Sequence, residues 1–318
     1  MNQALAIFSA LADPTRLRIL ALLRAMELSI GELALVLGQS QPRVSRHVKI
    51  MADAGLLRRR KEGAWVFLGL GDDALVAPVL AAIDAMNGGL DYWAAADIAR
   101  LAAVRADRAR AAEEYFNAHA AEWDAMRSLH VAETEVEAAI RAALAGVPIG
   151  RLVDIGTGTG RMIELLGAEA ESAIGVDRSP EMLRLAREKF FNAGLANVEL
   201  RQGDMFALPL LSGGADTVIM HQVLHYAQAP EAVIAEAARL LVPGGRLLVV
   251  DFGPHEKEDF RTRHAHARLG FSDAQIAAWF SAAGLEGFAP VALAGGELTV
   301  NLWLGRLVAP VSVREDVT

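Results

Sequence analysis

Residues 153–161 read VDIGTGTGR, a short apolar strand that runs into a glycine-rich loop and the start of a helix. Gly156, Gly158 and Gly160 allow the backbone to turn tightly and to approach a ligand at the helix N-terminus. Their spacing is G-x-G-x-G, whereas the dinucleotide-binding loop uses G-x-G-x-x-G. Asp154 precedes the first glycine by two residues, where its carboxylate would repel a pyrophosphate and attract a positively charged ligand. The stretch therefore predicts a site for a cationic ligand.

Short apolar runs alternate with helical stretches on the C-terminal side of this loop. The runs are RLVDIG (151–156), AIGVD (173–177), VELRQGD (198–204), ADTVIMH (215–221) and RLLVVDF (246–252). This alternation is typical of a parallel, doubly wound sheet. Two final runs, GFAPVAL (287–293) and LTVNLWLGRL (298–307), lie so close in sequence that they must pair as an antiparallel hairpin. The sequence thus predicts an α/β fold with a seven-stranded, Rossmann-like sheet.

Acidic residues end the second and third predicted strands. Asp177 lies 21 residues after Gly156, where a carboxylate can accept hydrogen bonds from both ribose hydroxyls of a nucleoside. Asp204 is placed to accept from an adenine amino group, with Met205 beside the ring. Because ligands of α/β sheets bind at the carboxyl ends of the strands, we interpret these residues as one nucleoside site. The alternative is that the carboxylates only cap the strand ends.

Residues 150–253 also resemble the class I methyltransferases that use S-adenosylmethionine, in particular those that act on small molecules such as quinones. The motifs that carry the resemblance are DIGTGTG, GVDRSPEML, GDMFALPL, VLHYAQAPE and LLVPGGRLLVVDF. It implies S-adenosylmethionine as cofactor, with Met182 near the adenine and His221 near the methionine portion. The predicted cofactor-binding residues are Asp154, Gly156, Gly158, Gly160, Asp177, Arg178, Met182, Asp204, Met205 and His221.

His225, in the VLHY motif, is the predicted catalytic residue. Methyl transfer requires a base only when the acceptor is protonated, and histidine titrates near neutral pH. The alternative is that His225 packs on the sheet from the first turn of a helix. The acceptor is an unidentified small molecule, and arsenite is excluded because the chain has no cysteine to hold it. His264 and His266 are two residues apart and would point to different helix faces, so we predict no metal site.

Residues 2–90 predict helices followed by a β-hairpin. Pro14 can open one helix, Ser29 and Gly38 bound a second, and Ser40 can cap a third that ends at Gly55. The stretch LLRRRKEGAWVFLGL (56–70) then reads as two strands around a turn at Lys61–Gly63. Helices followed by such a hairpin predict a winged helix-turn-helix.

This N-terminal segment is basic, although the whole chain has a net charge of −8. Seven Lys and Arg residues lie between Arg43 and Lys61, opposed only by Asp53, which indicates a polyanionic partner. SALADPTRLRILALL, SRHVKIMADAGLL and RRRKEGAWVFL resemble the ArsR-type winged-helix repressors, which bind a double-stranded DNA operator as dimers. The resemblance assigns DNA binding to Gln41, Arg43, Ser45, Arg46, Lys49, Arg58, Arg59, Arg60 and Lys61. Ser29 and Gly31 stand where arsenic sensors place cysteines, so we expect no metal sensing.

The organisation that follows is a winged helix-turn-helix over 1–90, a helical connector over 91–145 and a methyltransferase domain over 146–310. The absence of cysteine and of any long uncharged apolar run favours a cytoplasmic protein without a membrane span. Three hypotheses stay open: a homodimeric DNA-binding regulator with an active methyltransferase domain, a regulator whose pocket only senses the cofactor, and a homodimeric O-methyltransferase that uses its winged helix for dimerisation alone.

Overall fold

The computed structural model describes residues 3–62, 65–86, 92–120, 132–294 and 298–308. The chain divides into two compact units, Met1–Ala111 (unit 1) and Ala112–Thr318 (unit 2). The division falls inside the stretch predicted as a helical connector, while the predicted domain bounds themselves stay predictions. Gly63 of the predicted Lys61–Gly63 turn lies outside the described residues, as do residues 295–297 between the two final predicted strands.

Unit 1 contains helices and a small antiparallel sheet. Its helices are α1 (Gln3–Leu11), α2 (Pro14–Ala25), α3 (Ile30–Leu37), α4 (Gln41–Asp53), α5 (Asp73–Met86) and the first part of α6 (Tyr92–His119). Its strands are β1 (Leu28–Ser29), β2 (Leu57–Glu62) and β3 (Trp65–Leu70), in the order β1-β3-β2. Helix α3, helix α4 and the β2–β3 hairpin form the predicted winged helix-turn-helix.

Local sequence explains where these helices begin and end. The Ser29 hydroxyl accepts from the Glu32 backbone N–H while the Glu32 carboxylate accepts from the Ser29 N–H, which is a complete capping box for α3. Gly38 ends α3 in a left-handed conformation at φ 64°. Ser40 occupies the N-cap position of α4, but its side chain makes no capping hydrogen bond there. The predicted position was therefore correct, and the predicted hydroxyl cap was wrong.

A buried ion pair ties α6 to the core of unit 1. The Arg18 guanidinium donates two hydrogen bonds to the Asp97 carboxylate, at 2.6 Å from Nε and 2.7 Å from Nη2. The Asp97 side chain is 5% exposed and that of Arg18 is 16% exposed. Leu101 and Val104 of the same helix join the apolar core that α2, α3 and α4 share. The first part of α6 is thus an integral element of unit 1.

Unit 2 is built on an eight-stranded sheet. Its strands are β4 (Arg151–Ile155), β5 (Ser172–Asp177), β6 (Val198–Gln202), β7 (Ala215–His221), β8 (Leu241–Phe252), β9 (Leu285–Gly287), β10 (Val291–Ala294) and β11 (Thr299–Leu307). The spatial order is β10-β11-β8-β7-β4-β5-β6, and β9 pairs with β11 beside this path. Strands β4 to β8 run parallel, whereas β11 is antiparallel to β8, β9 and β10. The predicted doubly wound seven-stranded sheet is confirmed, and the three-residue β9 is an addition.

Helices cover both faces of this sheet. They are α7 (Glu133–Leu144), α8 (Arg161–Leu166), α9 (Pro180–Ala193), α10 (Pro230–Leu240), α11 (Asp259–Arg263) and α12 (Asp273–Ala282). Val218 and Val249 belong to the buried cluster that contains residues of α10 and α12. Ile219 and Leu248, one position away on each strand, belong to the cluster that contains residues of α7, α8 and α9. The alternation along each strand therefore fills two cores, as expected for a sheet buried on both faces.

The chain makes an unusual turn directly after β7. Gln222 has a positive φ of 51°, a region that residues other than glycine rarely adopt. Its backbone N–H donates to the Val250 carbonyl of β8 at 2.7 Å, which fixes this conformation. A short 3-10 turn, Leu224–Tyr226, follows and places His225 at the carboxyl end of the sheet. His225 therefore does not lie in the first turn of a longer α-helix.

Candidate functional site

The predicted cofactor residues meet at one edge of the sheet. The glycine loop follows β4, Asp177 ends β5, Asp204 follows β6 and His221 ends β7. These four strands are parallel neighbours in the order β7-β4-β5-β6, so their carboxyl ends lie side by side. This is the edge at which open α/β sheets bind ligands.

The loop needs glycine for steric reasons as well as for backbone conformation. A Cβ atom on Gly156, whose φ is 70°, would lie 2.3 Å from Cγ2 of Val223. A Cβ atom on Gly160, whose φ is 86°, would lie 2.4 Å from Cζ of Phe190. The Gly156 N–H donates to the Val176 carbonyl at 2.8 Å and holds the loop against β5. Gly158 also has a positive φ, of 53°.

The Asp177 carboxylate organises the same loop. Its Oδ2 accepts from the Gly158 N–H and its Oδ1 from the Ser179 N–H, both at 2.8 Å. Burial raises the pKa of the Asp177 carboxyl, while these backbone donors act in the opposite direction. A carboxylate has about four lone-pair sites, so acceptor capacity remains for the hydroxyls of a ribose.

Asp154 lies beneath the loop and is 1% exposed. Its Oδ2 accepts a hydrogen bond of 2.7 Å from the hydroxyl of Thr157, which fixes the loop from below. A buried carboxylate at this point supplies the negative charge that a ligand with an ammonium and a sulfonium group requires. The carboxylates of Asp154 and Asp177 and the glycine loop therefore fit S-adenosylmethionine, which has hydroxyl groups to donate and two positive charges.

The remaining predicted cofactor residues differ in exposure. Arg178 and Asp204 are about half exposed and form a loose ion pair, with 3.9 Å between Nη1 and Oδ2. Oδ1 of Asp204 accepts from the Phe206 N–H at 3.0 Å, which orients the carboxylate after β6. Met182 is 2% exposed, whereas Met205 is half-buried.

His225 forms a buried hydrogen-bonded pair with Asp251. The distance between Nδ1 of His225 and Oδ1 of Asp251 is 2.7 Å, and Oδ2 accepts from the His225 backbone N–H at 3.1 Å. The two side chains are 2% and 0% exposed. Nε2 of His225 has no hydrogen-bond partner among the described residues. A carboxylate that accepts the Nδ1 proton leaves a lone pair on Nε2, which is the arrangement of a general base.

Aromatic and imidazole rings surround this pair. The His225 ring lies 4.0 Å from the ring of His266 and 4.0 Å from that of Tyr226. Phe116 packs edge-on against Tyr226 at 4.7 Å. The His225 carbonyl accepts from the backbone N–H groups of Ala267 and Arg268, so this segment folds over the histidine. No cluster of three or more His, Cys, Asp or Glu side chains able to hold a metal occurs in the described ranges.

Sequence reasoning missed Asp251. The residue lies at the end of the apolar run RLLVVDF, where a carboxylate interrupts a buried strand. That interruption was the available signal, because a buried Asp requires a donor partner. The donor lies 26 positions earlier in the chain, on the turn after β7.

The predicted DNA-binding residues of unit 1 lie on α4 and on the hairpin. Helix α4 buries Val44, Val48 and Met51 against the core. The predicted α4 residues on its outer side are Gln41, Arg43, Arg46 and Lys49, all exposed, and Ser45, which is half-buried. On β2, Arg58, Arg59 and Lys61 are exposed and Arg60 is half-buried. A helix with one apolar and one cationic side is suited to lie in the DNA major groove.

Two comparisons with protein families cover both units. Residues 13–59 match the family model for bacterial regulatory proteins of the arsR family. Residues 153–249 match the model for a methyltransferase domain. The chain joins an ArsR-family segment to a methyltransferase domain. These matches confirm the predicted ArsR type of the N-terminal segment and the predicted methyltransferase domain, whereas the roles of single residues stay predictions.

Similar proteins match one segment or the other. The chain is 37% identical over 112 residues to the demethylmenaquinone methyltransferase of Thermus thermophilus, which is 35% of this chain and 50% of that protein. It is 48% identical over 61 residues to the arsenical resistance operon repressor of Escherichia coli, 19% of this chain and 52% of the repressor. The chain spans about half the length of these curated relatives.

A solved structure shows the fold of the methyltransferase segment. The YcgJ protein of Bacillus subtilis aligns with 56% of this chain and 100% of its own length, at a TM-score of 0.50 and 20% identity. At this identity the likeness concerns the fold alone. No helix in the described ranges is both long and apolar enough to cross a bilayer.

Proposed function

We propose that this protein is a homodimeric ArsR-type DNA-binding regulator whose methyltransferase domain binds S-adenosylmethionine and methylates a small hydroxylated acceptor. The observation that carries the enzymatic part is the buried His225–Asp251 pair, with Nε2 of His225 left without a partner among the described residues. A cofactor sensor without catalysis would gain nothing from a base held in one tautomer. The pair therefore favours an active domain over a pocket that only senses the cofactor.

The residues at the carboxyl edge of the sheet divide the cofactor between them. Asp177 would accept hydrogen bonds from the ribose hydroxyls, and Asp204 with Met205 would hold the adenine. Asp154 and His221 would hold the methionine portion, where the Asp154 carboxylate would balance its positive charge. When bound, S-adenosylmethionine supplies an electrophilic methyl group on a sulfonium. The protein then has to orient the acceptor and to exclude water from it.

His225 acts on the acceptor through its free nitrogen atom. Nε2 takes the proton of an acceptor hydroxyl, which raises the nucleophilicity of the oxygen. Asp251 holds the Nδ1–H tautomer and stabilises the imidazolium that results. Arsenite is not the acceptor, because the chain contains no cysteine thiolate to bind it.

Unit 1 supplies the DNA contact. Helix α4 enters the major groove with Arg43, Arg46 and Lys49, and two copies in a dimer read an inverted repeat with half-sites about one helical turn apart. From this DNA-binding role we infer that the protein acts in the cytoplasm.

A second candidate is a homodimeric O-methyltransferase that uses unit 1 for dimerisation only. The cationic outer side of α4 favours DNA binding, because a dimerisation module gains no stability from exposed like charges.

One experiment with two readouts tests this function on the full chain. Calorimetry should show binding of S-adenosylmethionine and of its demethylated product. Selection from a random duplex library should enrich an inverted repeat, and Arg43→Ala should relax the enriched sequence. Absence of cofactor binding would exclude the methyltransferase role, and absence of duplex binding at low salt would leave the dimerisation-only candidate.

A further inference from the structure

Strand β2 carries four consecutive cations, Arg58 to Lys61, that form the edge of the hairpin. Side chains of successive strand residues point to opposite faces of a sheet. Arg58 and Arg60 therefore share one face of the hairpin, and Arg59 and Lys61 share the other. The two faces differ in their electrostatic surroundings.

Glu27 neutralises the first face. Its Oε2 lies 2.8 Å from Nη2 of Arg60, and its Oε1 lies 3.3 Å from Nη2 of Arg58. The Glu27 side chain is 17% exposed, so its charge is only partly screened by solvent. The Arg60 guanidinium also lies over the Phe67 ring, with 5.3 Å between Cζ and the ring centroid. Arg60 is thus held by an ion pair and by a cation–π contact.

On the second face, the described residues supply no such counter-charge. Arg59 faces Leu68 across the hairpin and Lys61 faces Val66, so both cross-strand neighbours are apolar. Both cations are exposed, and within the part of unit 1 that the structure describes neither has a carboxylate within salt-bridge distance. Their charges are therefore available to an external anion.

This difference between the two faces determines which cations contribute to the free energy of DNA binding. A Lys or Arg that meets a phosphate releases a condensed counterion, and this release drives binding. A guanidinium that already pairs with Glu27 has to give up that carboxylate first, and the exchange of one anion for another yields little.

We propose that Arg59 and Lys61 are the phosphate-contacting residues of the hairpin, and that Glu27 holds Arg58 and Arg60 as positioning residues that fix the hairpin against β1 and β3. The proposal rests on the DNA-binding function proposed above. The sequence predicted DNA contacts for all four hairpin cations, and this proposal limits the phosphate contacts to two of them.

The salt dependence of DNA binding tests this division. Fluorescence anisotropy would follow the full chain binding to a labelled duplex of mixed sequence over a series of salt concentrations. Each phosphate contact contributes about −0.9 to the slope of log K against log salt. Arg59→Ala and Lys61→Ala should each reduce the steepness of this slope by about 0.9. Arg58→Ala and Arg60→Gln should leave it unchanged, even where a displaced hairpin lowers affinity.

Glu27→Gln provides the converse variant. Glu27 carries one negative charge, so its removal leaves one more positive charge on this face for a phosphate. The slope should therefore become steeper by about 0.9, the value of one further contact. Thermal unfolding of each variant shows whether unit 1 stays folded. If Arg60→Gln unfolds it, Arg58→Ala decides, because the Arg58 side chain is 66% exposed, against 27% for Arg60, and its loss removes less buried contact.

The outcomes separate this inference from the function on which it rests. A wild-type chain that binds no duplex at low salt overturns both. Wild-type binding in which Arg58→Ala flattens the slope as much as Arg59→Ala, or in which Glu27→Gln leaves it unchanged, overturns the division of the hairpin alone.

Discussion

Oδ1 of Asp251 lies 2.7 Å from Nδ1 of His225, and both side chains are almost completely buried. An amide at position 251 can donate to Nδ1, so Asp251→Asn should move the imidazole proton to Nε2 and remove the base. We expect the ¹⁵N chemical shifts of His225 to exchange their protonated and unprotonated patterns. The rate of methyl transfer to a hydroxylated substrate of the wild type should fall by about 10²–10⁴-fold.

Asp273→Asn is the control for this variant, because Asp273 also accepts a side-chain hydrogen bond of 2.7 Å, from Nε1 of the buried Trp303. It should leave the His225 shifts unchanged. Unaltered shifts in Asp251→Asn would show that Asp251 does not set the tautomer.

Alanine at Gly156 should destabilise unit 2 far more than alanine at Gly146. Both glycines have a positive φ, of 70° and 82°, but a Cβ on Gly146 would meet nothing within 4 Å. Gly146→Ala should therefore cost only the backbone strain, about 1–2 kcal/mol. Gly156→Ala should add about 1–3 kcal/mol for the overlap with Val223. Urea unfolding measures both, and equal losses would contradict the steric role of Val223.

Cofactor affinity should fall at low pH through Asp177. In the proposed site, the ribose hydroxyls would donate to the ionised Asp177 carboxylate, and protonation would weaken it as an acceptor. Because burial raises the Asp177 pKa, the loss should begin at a higher pH than for an ordinary aspartate. Calorimetry of the demethylated cofactor across pH should show this decline in the wild type. Asp177→Asn should bind more weakly, by about 2–4 kcal/mol, with a flat pH profile.

The Arg18–Asp97 pair should contribute far more to stability than the Arg24–Asp84 pair. The former is nearly buried, whereas both side chains of the latter are more than half exposed at a comparable distance of 2.8 Å. Asp97→Ala removes the carboxylate partner of a guanidinium that is only 16% exposed, and it should cost about 3 kcal/mol of unfolding free energy. Asp84→Ala should cost at most about 1 kcal/mol. Similar losses in denaturant titrations would show that burial does not govern these pairs.

Occupancy of the cofactor site should change operator affinity if the second domain regulates the first. The coupling must be reciprocal, and couplings of this kind amount to about 1–3 kcal/mol, or roughly 5–150-fold in affinity. Titration of the selected operator with and without the demethylated cofactor measures it. The effect should disappear in Asp177→Ala. Unchanged affinity at saturation would mean that the cofactor is not the signal.

The sequence predicted those features that depend on local pattern. The alternation of apolar runs and helices predicted the doubly wound sheet, and Ser29 with Gly38 marked the ends of α3. The three-residue β9 escaped prediction because so short a run has no readable periodicity. Its pairing with β11 is set by tertiary contact.

The side-chain pairs of the candidate sites could not be predicted from the sequence. Asp251 is 26 residues from His225, and Glu27 is more than 30 residues from Arg58 and Arg60. Contacts of this kind form only when distant strands and turns come together. A single sequence showed the cationic run, but the carboxylate that neutralises half of it became visible only in three dimensions.

The left-handed turn at Gln222 restricts which residues this position can carry as the sequence diverges. Gly, Asn and Asp reach positive φ readily, whereas Val, Ile and Thr are strongly disfavoured there. The turn directs the chain from β7 towards His225, so a β-branched replacement would misplace the base without touching it. The backbone conformation at position 222 thus limits the residue types that this position tolerates. In a saturation library at this position, variants should differ in folding according to how well each residue type tolerates a positive φ, even without a ligand.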